Sequence, residues 1–196
     1  MEESLPLLQK MDIVLEEDPK TSRKLIFETN QPEIRILIIR ATDVPTYVDY
    51  GAADIGIAGK DVLLEFDSNE LYEPLDLGIA KCKLMLAELE NANFGSEQNR
   101  VATKYTKTTR DYFANLGVQV EIIKLYGSME LAPVMGLSDK IVDLVDTGNT
   151  LKANGLIATD TICEISSRLI VNKAAMKLKQ TRVKRIINQL SDLVIT

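Results

Sequence analysis

The sequence predicts an α/β protein of two lobes, and three observations lead there. Strand-like apolar runs alternate with short helical patterns along most of the 196 residues. A long apolar stretch at 75–89 runs into the turn-rich residues 91–96, as a segment crossing between lobes does. Residues 168–171 then read as a returning strand, before a helix with Val183, Ile186, Ile187, Leu190 and Val194 on one face. Two crossing segments frame a central cleft, and ligands of such folds bind at the carboxyl ends of strands. The expected first lobe is 1–90 with 161–196, and the second is 91–160.

Met1, Leu5, Leu8 and Met11 stand at helical spacing until the charged stretch before Pro19 ends the pattern. Residues 34–39 are apolar apart from Arg35 and read as a buried strand; Arg40 to Asp43 follow, then a short helix with Val44, Tyr47 and Val48. The next unit places a strand at 53–58, a turn at Gly59 and a helix at 60–66. Beyond the link come a strand at 100–103, a helix at 106–116 stopped by Gly117, and a strand at 118–125. Gly127 and Ser128 open a helix through Val134, and a strand at 141–145 leads into a loop at 146–150.

Composition narrows the chemistry. Hydrophobic residues make up 45% of the chain, enough for a sizeable core. No stretch approaches the roughly 18 apolar residues of a membrane span, and the N-terminus has no signal-peptide pattern, so the cytoplasm is the expected location. Cys82 and Cys163 lack the spacing of a metal or redox motif and read as free thiols. A net charge of −6 disfavours a nucleic-acid partner, and the basic residues Lys173 to Arg185 read as a solvated helix face. The chain contains no histidine, which excludes Ser-His and Cys-His nucleophiles within it. Chemistry done by positioning and electrostatics remains.

The most informative segment is IVDLVDTGNT at 141–150, an apolar strand running into small hydroxyl, amide and glycine residues. Gly148 permits close backbone approach, Thr147 and Thr150 offer hydroxyls, and successive backbone N–H groups can cradle phosphate. Asp143 and Asp146 suit ribose hydroxyls, or a magnesium ion carried by pyrophosphate. The same residue types also suit an ordinary strand-to-loop turn with a capping threonine.

The longer run DLVDTGNTLKANGL at 143–156 resembles the phosphoribosyl-pyrophosphate loop of the ATP phosphoribosyltransferases. SRKLIF at 22–27, RATDVPTYV at 40–48, GAADIGIAGKD at 51–61 and KLYGSMELAP at 124–133 are similar to other segments of that family, in order. The resemblance implies a fold like the type II periplasmic binding proteins. It implies a pentosyltransferase that joins N1 of the adenine of ATP to C1 of phosphoribosyl pyrophosphate in the first step of histidine biosynthesis, with Mg2+ carried by the substrates. It places Arg40 on the leaving pyrophosphate, where the residue alone reads as a solvated strand end. Phosphoribosyl pyrophosphate would be held by Asp143, Asp146, Thr147, Gly148, Asn149 and Thr150. ATP contacts would come from Gly59, Lys60, Asp61, Ser128 and Glu130, residues that read equally as helix starts.

The length matches the short form of the family, which works with a regulatory subunit similar to histidyl-tRNA synthetase, catalytic dimers forming part of a hetero-octamer. Family members open with an apolar strand and a Lys-Gly-Arg turn that have no counterpart here, so the resemblance implies a first lobe short of one strand and one cation. The competing reading is a ligand-binding or structural subunit without activity.

Overall fold

The computed structural model describes residues 3–90 and 99–194; Met1 of the anticipated first helix and the link at 91–96 lie outside them. In chain order, α1 (Ser4–Lys10) precedes a ribbon of β1 (Ile26–Glu28) and β2 (Arg35–Leu37). A 3-10 turn (Ala41–Asp43), α2 (Val44–Asp49), β3 (Ile55–Gly59), α3 (Lys60–Glu65) and β4 (Leu71–Asp76) follow. Then come β5 (Cys82–Leu89), β6 (Arg100–Thr103), α4 (Thr106–Asn115), β7 (Glu121–Lys124), α5 (Leu131–Val134), β8 (Lys140–Val145), α6 (Asn149–Ala153) and β9 (Leu156–Ile165). β10 (Ser167–Asn172), α7 (Lys173–Leu178) and α8 (Gln180–Val194) complete the order.

Packing divides the chain into Met1–Ala80 with Ser166–Thr196, and Lys81–Ile165. The divisions fall ten residues earlier and five later than the expected 90/91 and 160/161 because β5 pairs with β9 along its length, from Cys82 opposite Ile165 to Leu89 opposite Leu156. Two features here differ from the sequence reading. The apolar stretch 75–89 is not one strand: β4 ends at Asp76, whose carboxylate accepts the Gly78 N–H at 2.9 Å, and both Gly78 and Ala80 take left-handed φ, +63° and +50°. β9 was not anticipated at all. It is an outer strand of its sheet, exposed from Ile157 to Thr161, and register shifts interrupt its pairing with β5.

In the first unit β10 lies between β3 and β4 and is antiparallel to both. Leu7, Met11, Ile13, Leu77, Leu169 and Leu190 form a buried cluster that joins α1 and α8 to this sheet. The anticipated strand at 34–39 is the three-residue β2, which pairs antiparallel with β1, Ile26 opposite Leu37. Among the described residues β2 and β3 each have one strand neighbour. A cavity of about 550 Å3 runs past both, lined by Ile36 and Ile38 on one side and Ile55 and Ile57 on the other. Buried Asn172 ties three elements together: its Oδ1 accepts the Ala175 N–H at the start of α7, and its Nδ2 donates to the carbonyls of Val48 and Asp49 in α2. Two of the basic residues near α8 are engaged locally, Lys179 with Asp54 at 2.8 Å and Arg185 with Glu33 at 3.4 Å.

Gly56 lets α2 lie against β3. A Cβ there would come 2.7 Å from Val44 Cγ1 and 2.8 Å from Val48 Cγ2, inside van der Waals contact. Gly56→Ala is therefore expected to destabilise the first unit by about 1–3 kcal/mol through overpacking. Thermal unfolding checks this, and an unchanged midpoint would show that α2 shifts freely.

The second unit has the strand order β7-β6-β8-β5-β9, with β6 parallel to β7 and β8, and β5 antiparallel to β8 and β9. Gly117, at φ +70°, ends α4 as the sequence predicts, and the chain then returns as β7, which is shorter than the expected 118–125 and pairs over four positions with Arg100–Thr103 of β6. Ala87, Ala102, Met129, Ala132, Ile141, Leu151 and Leu156 form its buried core.

Candidate active site

Because β6, β7 and β8 run parallel, the segments that leave their carboxyl ends gather along one edge of the second unit's sheet. From β8 emerge Asp146 and Thr147, both exposed, then Gly148 at φ +75°, and α6 begins at Asn149. A left-handed φ at that position suits glycine, since a Cβ would strain the backbone even though its nearest neighbour, Val145 Cγ1, is 3.8 Å away. The Thr147 hydroxyl accepts the Asn149 N–H at 3.4 Å, and the Asn149 and Thr150 side chains face solvent. Asp143, two residues inside β8's end, is half-buried and accepts the Leu144 N–H at 2.8 Å.

The segment after β7 carries Ser128, exposed and strained at φ +51°, then Met129 and Glu130, the residue just before α5, whose side chain makes no capping bond to it. Met129 and Ala132 share the buried cluster that holds Leu151 of α6, so this turn and the β8 loop are anchored to the same apolar knot. Lys104 leaves β6 at the same edge, exposed, its ammonium 4.8 Å from the Tyr105 ring centre. Sequence reading passed over Lys104, and its only signal was the parallel order of three strands. On α4, burial first and then Asp160 push the Tyr112 phenol above its ordinary range.

The first unit carries the remaining candidates. Arg40 follows β2 as the residue before the 3-10 turn, its carbonyl accepting the Asp43 N–H at 2.9 Å. Its side chain is exposed, and among the described residues its guanidinium has no ion-pair partner. Gly59 ends β3, Lys60 starts α3, and the Asp61 carboxylate folds over Gly59 so closely that a Cβ there would lie 2.2 Å from Asp61 Oδ1. The Lys60 N–H donates to the Ser166 carbonyl at 3.0 Å, and its ammonium donates to Glu73 Oε2 at 2.7 Å. Arg40 and Gly59 to Asp61 thus stand in one unit, and Ser128, Glu130 and 143–150 in the other.

Comparison with known proteins identifies the family. The family described as HisG, ATP phosphoribosyltransferase, matches residues 40–192. The chain belongs to the ATP phosphoribosyltransferase family. It is 58% identical over 193 residues to the ATP phosphoribosyltransferase of Nitrosococcus oceani, covering 98% of this chain and 91% of that one. The enzyme of the same name from Methylococcus capsulatus is also 58% identical, with the same coverage. A solved ATP phosphoribosyl transferase (HisG:HisZ) complex from Thermotoga maritima superposes with a TM-score of 0.84 at 34% identity, covering 98% of this chain and 92% of that one.

The fold is the two-lobed α/β type of the type II periplasmic binding proteins. The aliphatic sulphonate binding protein SsuA of Escherichia coli matches it with a TM-score of 0.57, over 80% of this chain and 60% of that one. At 10% identity that likeness concerns the fold alone. In this phosphoribosyltransferase chain Cys82 and Cys163 are not disulfide-bonded, and among the described residues no helix is long and apolar enough to cross a membrane.

Proposed function

We propose that the chain joins N1 of the adenine of ATP to C1 of phosphoribosyl pyrophosphate, giving phosphoribosyl-ATP in the first step of histidine biosynthesis. The C1–oxygen bond to pyrophosphate breaks as the N1–C1 bond forms. The observation that carries this reading is the glycine-centred loop 146–150 at the carboxyl edge of parallel strands, beside Asp143, in a chain of this family. Its hydroxyls and N–H groups suit the 5′-phosphate, and Asp143 and Asp146 suit the ribose diol. Ser128, Glu130, Gly59, Lys60 and Asp61 serve ATP, and Arg40 serves the departing pyrophosphate. Magnesium enters as part of the substrates, bound chiefly through phosphate oxygens.

The chain acts in the cytoplasm with a regulatory subunit similar to histidyl-tRNA synthetase, its dimers within a hetero-octamer. Support for a partner comes from the Thermotoga maritima structure, a HisG:HisZ complex. The test is pyrophosphate release from ATP, phosphoribosyl pyrophosphate and magnesium, with and without the regulatory subunit. Release in step with phosphoribosyl-ATP is the expected result. Absence of release in both mixtures would overturn the reading in favour of a ligand-binding or structural subunit.

The nucleophile is a ring nitrogen with a free lone pair, so no general base is required, and the chain holds no histidine to provide one. The turnover of substrate-saturated enzyme is accordingly expected to stay level, within about twofold, between about pH 7 and pH 8.5. A rise through this range that follows a single enzyme ionisation would require a base.

A further inference from the structure

We propose that Glu73, clamped from behind by Arg168, is the positioning residue for Lys60 in ATP binding, an inference that rests on the nucleotide role given to Lys60 above. Lysine at a helix start has a flexible stem and a point charge, so by itself it offers an incoming phosphate no defined geometry. Here a closed circuit supplies that geometry. The Lys60 ammonium donates to Glu73 Oε2 at 2.7 Å, while Glu73 Oε1 lies 3.5 Å from Arg168 Nη1. Arg168 Nη2 sits 3.0 Å from Asp76 Oδ2, and Asp76 Oδ1 accepts the Ser166 hydroxyl at 2.7 Å. The Ser166 carbonyl returns to Lys60 by accepting its backbone N–H at 3.0 Å.

The circuit joins the start of α3 at Lys60, the edge strand β4 at Glu73 and Asp76, and β10 at Arg168 with Ser166 just before it, so its members are set by three different elements. The side chains of Lys60, Glu73 and Arg168 are 29%, 30% and 23% exposed, which strengthens their attraction over that of a solvated pair. Arg168 Nε is buried and makes no hydrogen bond, and the guanidinium meets its two carboxylates through Nη1 and Nη2. One of three Lys60 ammonium protons is committed to Glu73, leaving two to meet an anionic ligand. Two cations and two carboxylates balance within the circuit, so its members hold the Lys60 ammonium in place before a polyphosphate arrives.

Titration with ATP and steady-state kinetics on the complete chain, with its regulatory subunit, test this with Glu73→Gln, Glu73→Asp, Lys60→Met and the double variant Glu73→Gln/Lys60→Met. Glu73→Gln is expected to raise the Kd and KM for ATP about tenfold, with kcat changed by less than about threefold. The shorter carboxylate of Glu73→Asp should recover part of that loss. In the Lys60→Met background Glu73→Gln should add nothing, because it acts through the ammonium. Unchanged ATP affinity in Glu73→Gln, or full additivity with Lys60→Met, overturns the positioning role and leaves the nucleotide role of Lys60 standing. Unchanged affinity in Lys60→Met overturns both. If the glutamine variant fails to fold, the aspartate variant and its cycle with Lys60→Met decide on the same criteria.

Discussion

Arg40→Ala is expected to lower turnover about a hundredfold while leaving the protein as stable as before. Both halves follow from where the side chain stands. Arg40 is exposed, and among the described residues its guanidinium has no ion-pair partner, so its loss removes no packing; surface changes of this kind stay within about 0.5 kcal/mol. Charge builds on pyrophosphate only as the bond to C1 breaks, so a guanidinium meeting that charge acts mainly in the transition state. Removing one such preorganised donor typically costs about 10²–10³ in kcat. Arg40→Lys should recover only part of the rate, because a single ammonium cannot reproduce a two-pronged contact. Turnover within threefold of the parent would move Arg40 away from the leaving group.

Asp146→Ala should act on the other substrate. Asp146 is exposed at the end of β8, immediately before the glycine loop, and the proposed reading gives its carboxylate the ribose hydroxyls of phosphoribosyl pyrophosphate. A charge-assisted hydrogen bond of this type contributes about 1.5–3 kcal/mol, which converts to a KM for phosphoribosyl pyrophosphate raised roughly ten- to a hundredfold. The KM for ATP should barely move. Asp143 would be the less clean target, since it is half-buried and accepts the Leu144 N–H, so replacing it mixes folding with binding. A KM for phosphoribosyl pyrophosphate unchanged in Asp146→Ala would remove the loop from that substrate.

The parts of the fold most legible in sequence are those where one residue acts locally. Gly117 stops α4, the apolar run after Lys140 makes β8, and the loop expected at 146–150 follows it, with its glycine at a left-handed φ. Elements defined by distant partners were hidden. β9 gains its pairing from β5 and shows mostly Thr, Asp and Ala to solvent, so it has no apolar alternation to betray it. The break after Asp76 was masked by Leu77 and Ile79, which keep the stretch apolar through a turn that Gly78 and Ala80 make. At the site, the individual candidates could be named from motif and resemblance, yet Glu73, Asp76, Ser166 and Arg168 around Lys60 could not. They are contributed by β4 and by the segment entering β10, and no spacing rule links them.

The placement of β10 also governs the order in which this chain can complete itself on the ribosome. Among the described residues β3 and β4 share no ladder of their own; each bonds to β10, which is not made until residue 172. Residues 81–165, in contrast, form a continuous unit with every strand of their sheet in hand once β9 emerges. The half of the protein that is synthesised first is thus the half that closes last, held open until a strand from the far end of the message slides between its two waiting edges.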